Sequence, residues 1–107
     1  MIVRMWHGVT EAAKSEEYLD YLGETGVPDY RATEGNLGVY VLRRNEGERA
    51  HFLTVSFWES LEVIKAFAGS DPERARYYPE DERFLLDFEP NVEHYEVLVD
   101  SFPERGA

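Results

Sequence analysis

The segment from His51 to Trp58 carries large apolar side chains on both faces of what reads as an extended chain. Side chains alternate across a strand, so His51, Leu53, Val55 and Phe57 share one face, and Phe52, Thr54, Ser56 and Trp58 the other. A strand of this kind needs cover on both sides. Directly after it, Ser60 is placed to cap a helix, with Glu62 in the first turn where a negative charge suits the helix dipole. Leu61, Ile64, Phe67 and Ala68 recur at helical spacing and give that helix one apolar face, and Gly69 ends it. Ser70-Asp71-Pro72 then reads as a second cap with proline at the first helical position. A two-faced central strand running into an amphipathic helix restricts the chain to small α+β folds whose sheet is covered on both sides.

The remaining elements can be placed around this unit. Ile2, Arg4 and Trp6 alternate with Val3, Met5 and His7 in a first strand with weight on both faces. A helix is expected over 11–25, with Tyr18, Leu19 and Leu22 as its buried stripe. Gly26 and Pro28 stop it, and a further helical turn is expected over 27–31. Residues 37–44 read as a second strand, with Val39 and Val41 facing one way and Tyr40 and Leu42 the other. The stretch 44–49 is a hairpin connection into the central strand. Residues 74–81 are short-helical or irregular, Glu80-Asp81-Glu82 reads as a solvated helix start after Pro79, and a last strand is expected over 92–99.

The order β-α-β-β-α-β is the split βαβ, or ferredoxin-like, pattern: an α+β domain over 1–99 with a four-stranded antiparallel sheet, followed by a tail over 100–107. A layer of two helices covers one face of such a sheet. The second apolar face is expected to be covered by another copy of the chain, making a homodimer through the sheet face. Strand one is expected to run antiparallel to strand four and parallel to strand three. That places His7 and His94 at one end of the sheet and His51 at the other, so no three-histidine metal site is expected. A His7/His94 pair is open if the two share a face, with Glu96 as a nearby carboxylate that could help them bind a metal or perturb a histidine pKa.

Charge narrows the function. A chain of 107 residues with a formal charge of -11 suits neither nucleic acid nor an anionic membrane surface. The absence of cysteine excludes disulfides, thiolate metal sites and cysteine nucleophiles. Met1-Ile2-Val3-Arg4 enters a strand at once and nothing resembles a signal peptide, so a cytoplasmic protein is expected. No glycine-rich phosphate loop, serine elbow or HExxH is present. Aromatic residues make up 14% of the chain, seven of them tyrosines, and these combine apolar bulk with a polar end for a ligand. His94 is the preferred general base, because histidine titrates near neutral pH and its strand begins beside the aromatic-rich segment. Tyr77 and Tyr78, in an irregular stretch before Pro79, are placed to turn into a cavity between helices and sheet. Trp6, Tyr40 and Trp58 are core, interface or ligand-contact residues.

The run Leu53-x-Val-x-x-Trp-x-Ser, followed by Phe67-x-x-Ser70 and a tyrosine-rich turn, resembles the antibiotic biosynthesis monooxygenase family. The resemblance extends from Ile2 to about Val99. It implies the dimeric α+β barrel fold and oxidation of a small, electron-rich, often phenolic aromatic by molecular oxygen, without metal, flavin or other cofactor. His94 and Tyr77 would be catalytic, and Trp6, Tyr40, Trp58, Phe67 and Tyr78 would bind substrate. The chain departs from the haem-degrading branch at Phe67, where that branch carries tryptophan, and near Tyr77, where it carries an axial histidine. Two other uses of the fold are a non-catalytic dimeric module that binds a small ligand, and an isomerase or lyase.

Overall fold

The computed structural model describes residues 1–103, so the end of the expected tail, 104–107, lies outside the described residues. Strands β1 (Ile2–Glu11), β2 (Asn36–Glu46), β3 (Arg49–Trp58) and β4 (Glu93–Glu96) form one sheet in the order β2-β3-β1-β4. Helices α1 (Ser15–Glu24), α2 (Gly26–Ala32) and α3 (Leu61–Ala68) lie across one of its faces. This is the ferredoxin-like arrangement. Among the described residues no helix is long and apolar enough to cross a membrane.

Every strand pair is antiparallel, including β1 with β3. The expectation that strand one runs parallel to strand three is therefore wrong. The helical crossover makes β2 parallel to β1, and the hairpin at Gly47 (φ 60°) turns β3 back against both. Val9 stands opposite His51 and His7 opposite Leu53, so His7 and His51 share an end of the sheet. His94 stands opposite Arg4, nearer the start of β1.

Strand alternation divides β1 and β3 cleanly. Arg4, Trp6 and Thr10 of β1 and Ala50, Phe52, Thr54, Ser56 and Trp58 of β3 are buried beneath the helices. One core cluster joins Trp6, Phe52, Tyr18, Leu22, Phe84 and Leu85; the other joins Trp58, Tyr30, Ile64 and Phe67. The opposite face carries Met5, His7, Leu53 and Phe57, all half-buried, with Tyr40, Leu42 and Tyr95 exposed.

Local chemistry explains the element boundaries. The first helical region is a 3-10 turn at Ala12–Lys14, then α1 and α2 with a break at Thr25, where ψ is -81°. Pro28 sits in the first turn of α2, where its missing N–H costs no helical bond. Ser60 caps α3 by accepting from the Val63 amide at 3.4 Å. The expected helix after Ser70-Asp71-Pro72 does not form: Asp71 accepts from the Glu73 amide and its carbonyl from the Arg74 amide, which closes a single turn. Residues 74 and 91 then make an isolated bridge, and β4 is shorter than expected.

Gly35 joins α2 to β2 with φ 92°, and an added Cβ would lie 2.6 Å from Val63 Cβ on α3. Gly35→Ala should therefore cost about 1–3 kcal/mol through backbone strain and overpacking together. Ser60→Ala should cost about 1 kcal/mol for the lost cap. Urea unfolding should rank Gly35→Ala as the more damaging; equal midpoints would show that the α3–Gly35 contact carries no strain on substitution.

Candidate active site

A small cavity lies between the sheet and the helices, walled by Trp6 and Thr54 from the sheet, Tyr18 and Tyr30 from α1 and α2, Phe67 from α3, and Arg76, Tyr78 and Asp81 from the segment after α3. Its volume is about 20 Å³, room for about one water molecule. The wall is aromatic: Tyr30 stacks on Phe67 with ring centroids 4.5 Å apart. Trp6 holds its place because Gly8 leaves room for it; a Cβ there would lie 2.3 Å from the indole.

Two guanidinium groups flank the Phe67 ring, Arg4 at 5.3 Å and Arg76 at 5.0 Å. Arg4 comes up from β1 and is 1% exposed. Its Nη2 donates to the Arg74 carbonyl at 3.0 Å, while Nε has no partner among the described residues. Burial lowers its pKa, yet an arginine remains charged at any physiological pH. Trp6 Nε1 is a second buried donor without a partner among the described residues. Buried donors of this kind are costly, and their retention marks a place where a ligand or water can bind.

The segment after α3 closes the cavity. Tyr78 donates its hydroxyl to Asp29 Oδ2 at 2.8 Å, and Arg76 pairs with the same oxygen at 3.2 Å. Arg76 also donates to the Phe67 carbonyl at 3.0 Å. Asp81, expected as part of a solvated helix start, is instead 3% exposed and accepts from the Tyr78 amide at 2.5 Å. Burial raises its pKa, against the lowering effect of that amide. Burial likewise raises Tyr78, and the Asp29 carboxylate adds to this, so the phenol stays neutral.

The candidate residues fall in several places. Trp6, Phe67 and Tyr78 line the cavity together. Trp58 lies behind Phe67, fully buried, donating to Ser56 Oγ at 2.9 Å. Tyr77 packs edge-on against Trp6 and donates its hydroxyl to the Glu89 carbonyl at 2.5 Å; burial raises its pKa. Tyr40 is on the opposite face of the sheet, against Phe57. His94 is on the helix side of β4 beside Arg4, outside the cavity wall, with Nε2 buried and unpartnered among the described residues. Burial lowers its pKa, the Arg4 cation lowers it further, and Glu73 opposes both. The three histidines do not converge, and among the described residues no group of three or more His, Cys, Asp or Glu is arranged to hold a metal.

A family model for antibiotic biosynthesis monooxygenase matches residues 1–76. The chain belongs to that family. The matched region includes Arg4, Trp6, Tyr30, Thr54 and Phe67 and stops before Tyr77, Tyr78, Asp81 and His94. Solved structures share the fold of this family member. A Bacillus cereus protein named for the same family superposes with TM-score 0.65 at 19% identity, covering 98% of each chain. One from Nitrosomonas europaea gives 0.64 at 12%, covering 92% of this chain and all of its own. MhuD from Mycobacterium tuberculosis, a haem degrader with two haems in its active site, gives 0.60 at 22%, covering 95% of this chain and all of its own. None of the functionally curated proteins matches the sequence.

The residues of the wall do not fit haem. They include no histidine, cysteine or methionine as an axial ligand; of the tyrosines, Tyr18 and Tyr78 are held as neutral phenols by burial and Tyr30 is tied to Thr54. At about 20 Å³ the closed cavity has room for about one water, so any organic ligand requires it to open.

Tyr30, Thr54 and Asp81 line this cavity and Arg4 lies behind its wall against Phe67; all four were missed as site residues in the sequence. Arg4 had a usable signal: a lone arginine at an alternation position shared with Ile2 and Trp6 faces a core. Asp81 had none, since it sits in an acidic run that resembles any solvated turn.

Asp81 gives a stability test with a defined sign. Its folded pKa lies above its unfolded one, so its favourable contribution is complete below the ordinary carboxylate range and is lost as pH rises through the folded value. Asp81→Asn keeps an acceptor for the Tyr78 amide and should be more stable than the native chain at pH 7. The gain should shrink as pH falls into the ordinary carboxylate range. A gain that grows toward low pH in urea unfolding would contradict the burial account.

Proposed function

We propose that this family member is a cofactor-independent monooxygenase that oxidises a small phenolic aromatic held as its phenolate in the cavity between sheet and helices. The observation that carries this reading is the pair of guanidinium groups on the Phe67 ring, one of them buried with an unpartnered Nε. A phenolate gives an electron to oxygen far more readily than a phenol, and a buried cation favours that anion in a low-dielectric site. In the overall reaction one phenol and one O₂ give a quinone and one water. One oxygen atom forms the new carbonyl, the other leaves as water, and the substrate supplies all four electrons.

Asp81, in the cavity wall, is our assignment for the base that takes the phenolic proton, because a carboxylate raised by burial is a better proton acceptor. His94 is the second candidate, kept neutral beside Arg4. Trp6, Phe67 and Tyr78 form the wall against the aromatic ring, Tyr77 buttresses Trp6 from outside it, and Trp58 supports Phe67. Room for the substrate comes from release of Tyr78 and Arg76 from Asp29, which moves the cover of the cavity without disturbing the sheet.

We also propose a homodimer through the open sheet face, with Tyr40 as an interface residue. Leu37, Tyr40, Leu42, Tyr95, Leu98, Val99 and Phe102 are all exposed in the single chain, and Leu37, Tyr40, Val99 and Phe102 line one depression together.

Oxygen uptake by metal-stripped protein against a panel of phenols and hydroquinones tests the reading, with sedimentation of the same preparation reporting its mass. Uptake should exceed the uncatalysed rate, fall at least a hundred-fold in Asp81→Asn, by roughly the contribution of a general base, and persist in His94→Gln. The reverse pattern would transfer the base to His94. No uptake across the panel would sink the oxygenase reading, and a monomer mass would sink the dimer.

A further inference from the structure

His7 and His51 form a second titratable cluster, on the sheet face opposite the cavity. His7 Nε2 and His51 Nδ1 are 3.0 Å apart, and the rings are near-parallel at 16° with centroids 5.3 Å apart. The far nitrogen of each ring meets a carboxylate. His7 Nδ1 bonds Glu89 Oε2, and His51 Nε2 lies 3.5 Å from Glu46 Oε1 without forming a hydrogen bond.

Two nitrogens on neighbouring strands thus face each other, and the His7 ring is held from behind by the Glu89 carboxylate. Backing of this kind fixes the tautomer and raises the basicity of metal-bound imidazoles.

We infer that His7 Nε2 and His51 Nδ1 are a cross-strand site for a borderline transition cation such as Zn²⁺ or Cu²⁺. The cation would sit between the two nitrogens, now 3.0 Å apart. Zinc–nitrogen bonds of about 2.0–2.1 Å at a tetrahedral angle need the nitrogens roughly 3.3 Å apart, a small opening with a tilt of the rings. In the single chain both imidazoles line a depression of about 260 Å³ with Leu42, Arg43, Arg44 and Leu53, and water would complete the coordination. Leu42 also belongs to the face proposed for the dimer, so the site requires this end of that face to stay open in the assembly. Arg43 and Arg44 are the adverse charges at this site, and their pairings with Glu16 at 2.6 Å and Glu46 at 3.3 Å offset them. Glu93 and Glu89 line the second depression beside His7 and add negative potential. The site bridges β1 to β3 and uses none of the cavity residues.

The test is calorimetric titration of the native chain with Zn²⁺ and electron paramagnetic resonance of its Cu²⁺ form. One cation per chain should bind, with hyperfine coupling to two nitrogens. His7→Gln and His51→Gln should each abolish that two-nitrogen signal, and His94→Gln should leave it unchanged. Glu89→Gln should weaken Zn²⁺ binding about tenfold, the smaller end of the effect of losing a carboxylate behind a metal-bound histidine. Circular dichroism of each variant shows whether the sheet is retained. No binding by the native chain overturns the inference, as does binding that survives in either folded His7 or His51 variant.

Discussion

A guanidinium buried beneath the helix layer sets the terms for the rest of this structure. Arg4 points from the sheet into the side that should be apolar, and taking a charge out of water costs several kcal/mol unless its surroundings compensate. Here the compensation is partial: one backbone carbonyl and the face of Phe67. The segment after α3 is shaped to provide that carbonyl, through Arg74, and then to bring Arg76 to the other guanidinium site on Phe67. The same segment delivers Tyr78 and Asp81 to the cavity wall. A family fold that needed only a core would place an aliphatic residue at this position, so the charge is best understood through what it can bind.

The two faces of β3 divide the chemistry of the molecule. One face, through Thr54 and Trp58, belongs to the cavity and the core behind it; Tyr30 donates to or accepts from Thr54 at 3.0 Å and ties α2 to the sheet. The other face carries His51 and the apolar surface that a second copy would cover. A single strand therefore links two sites that share no side chain, and substitutions on one face should leave the other largely intact.

The fold was legible from periodicity, since alternation in β1 and β3 and helical spacing in α3 are strong local signals read by burial alone. Strand direction was less secure: the order of elements fixes β1 parallel to β2, and β3 against both, but a wrong pairing direction moved His51 to the far end of the sheet. That one error separated two histidines whose nitrogens lie 3.0 Å apart. The cavity was legible in part. Trp6, Phe67 and Tyr78 stood out as bulky aromatics near strand or helix ends, whereas Asp81 owes its burial to tertiary packing of an irregular segment, which leaves no trace in local composition. Tyr40 shows the limit in the other direction, an aromatic whose alternation assigns it to the open face.

The central claim is that the cavity receives a phenol as its anion beside Arg4 and Arg76. The most direct measurement is the absorption spectrum of a chromogenic nitrophenol titrated with the protein at a pH below the phenol's own pKa. The account predicts that the bound molecule shows the phenolate band, and that Arg4→Met, with its fold checked by circular dichroism, loses it. A bound nitrophenol that keeps the spectrum of the neutral phenol would contradict the account.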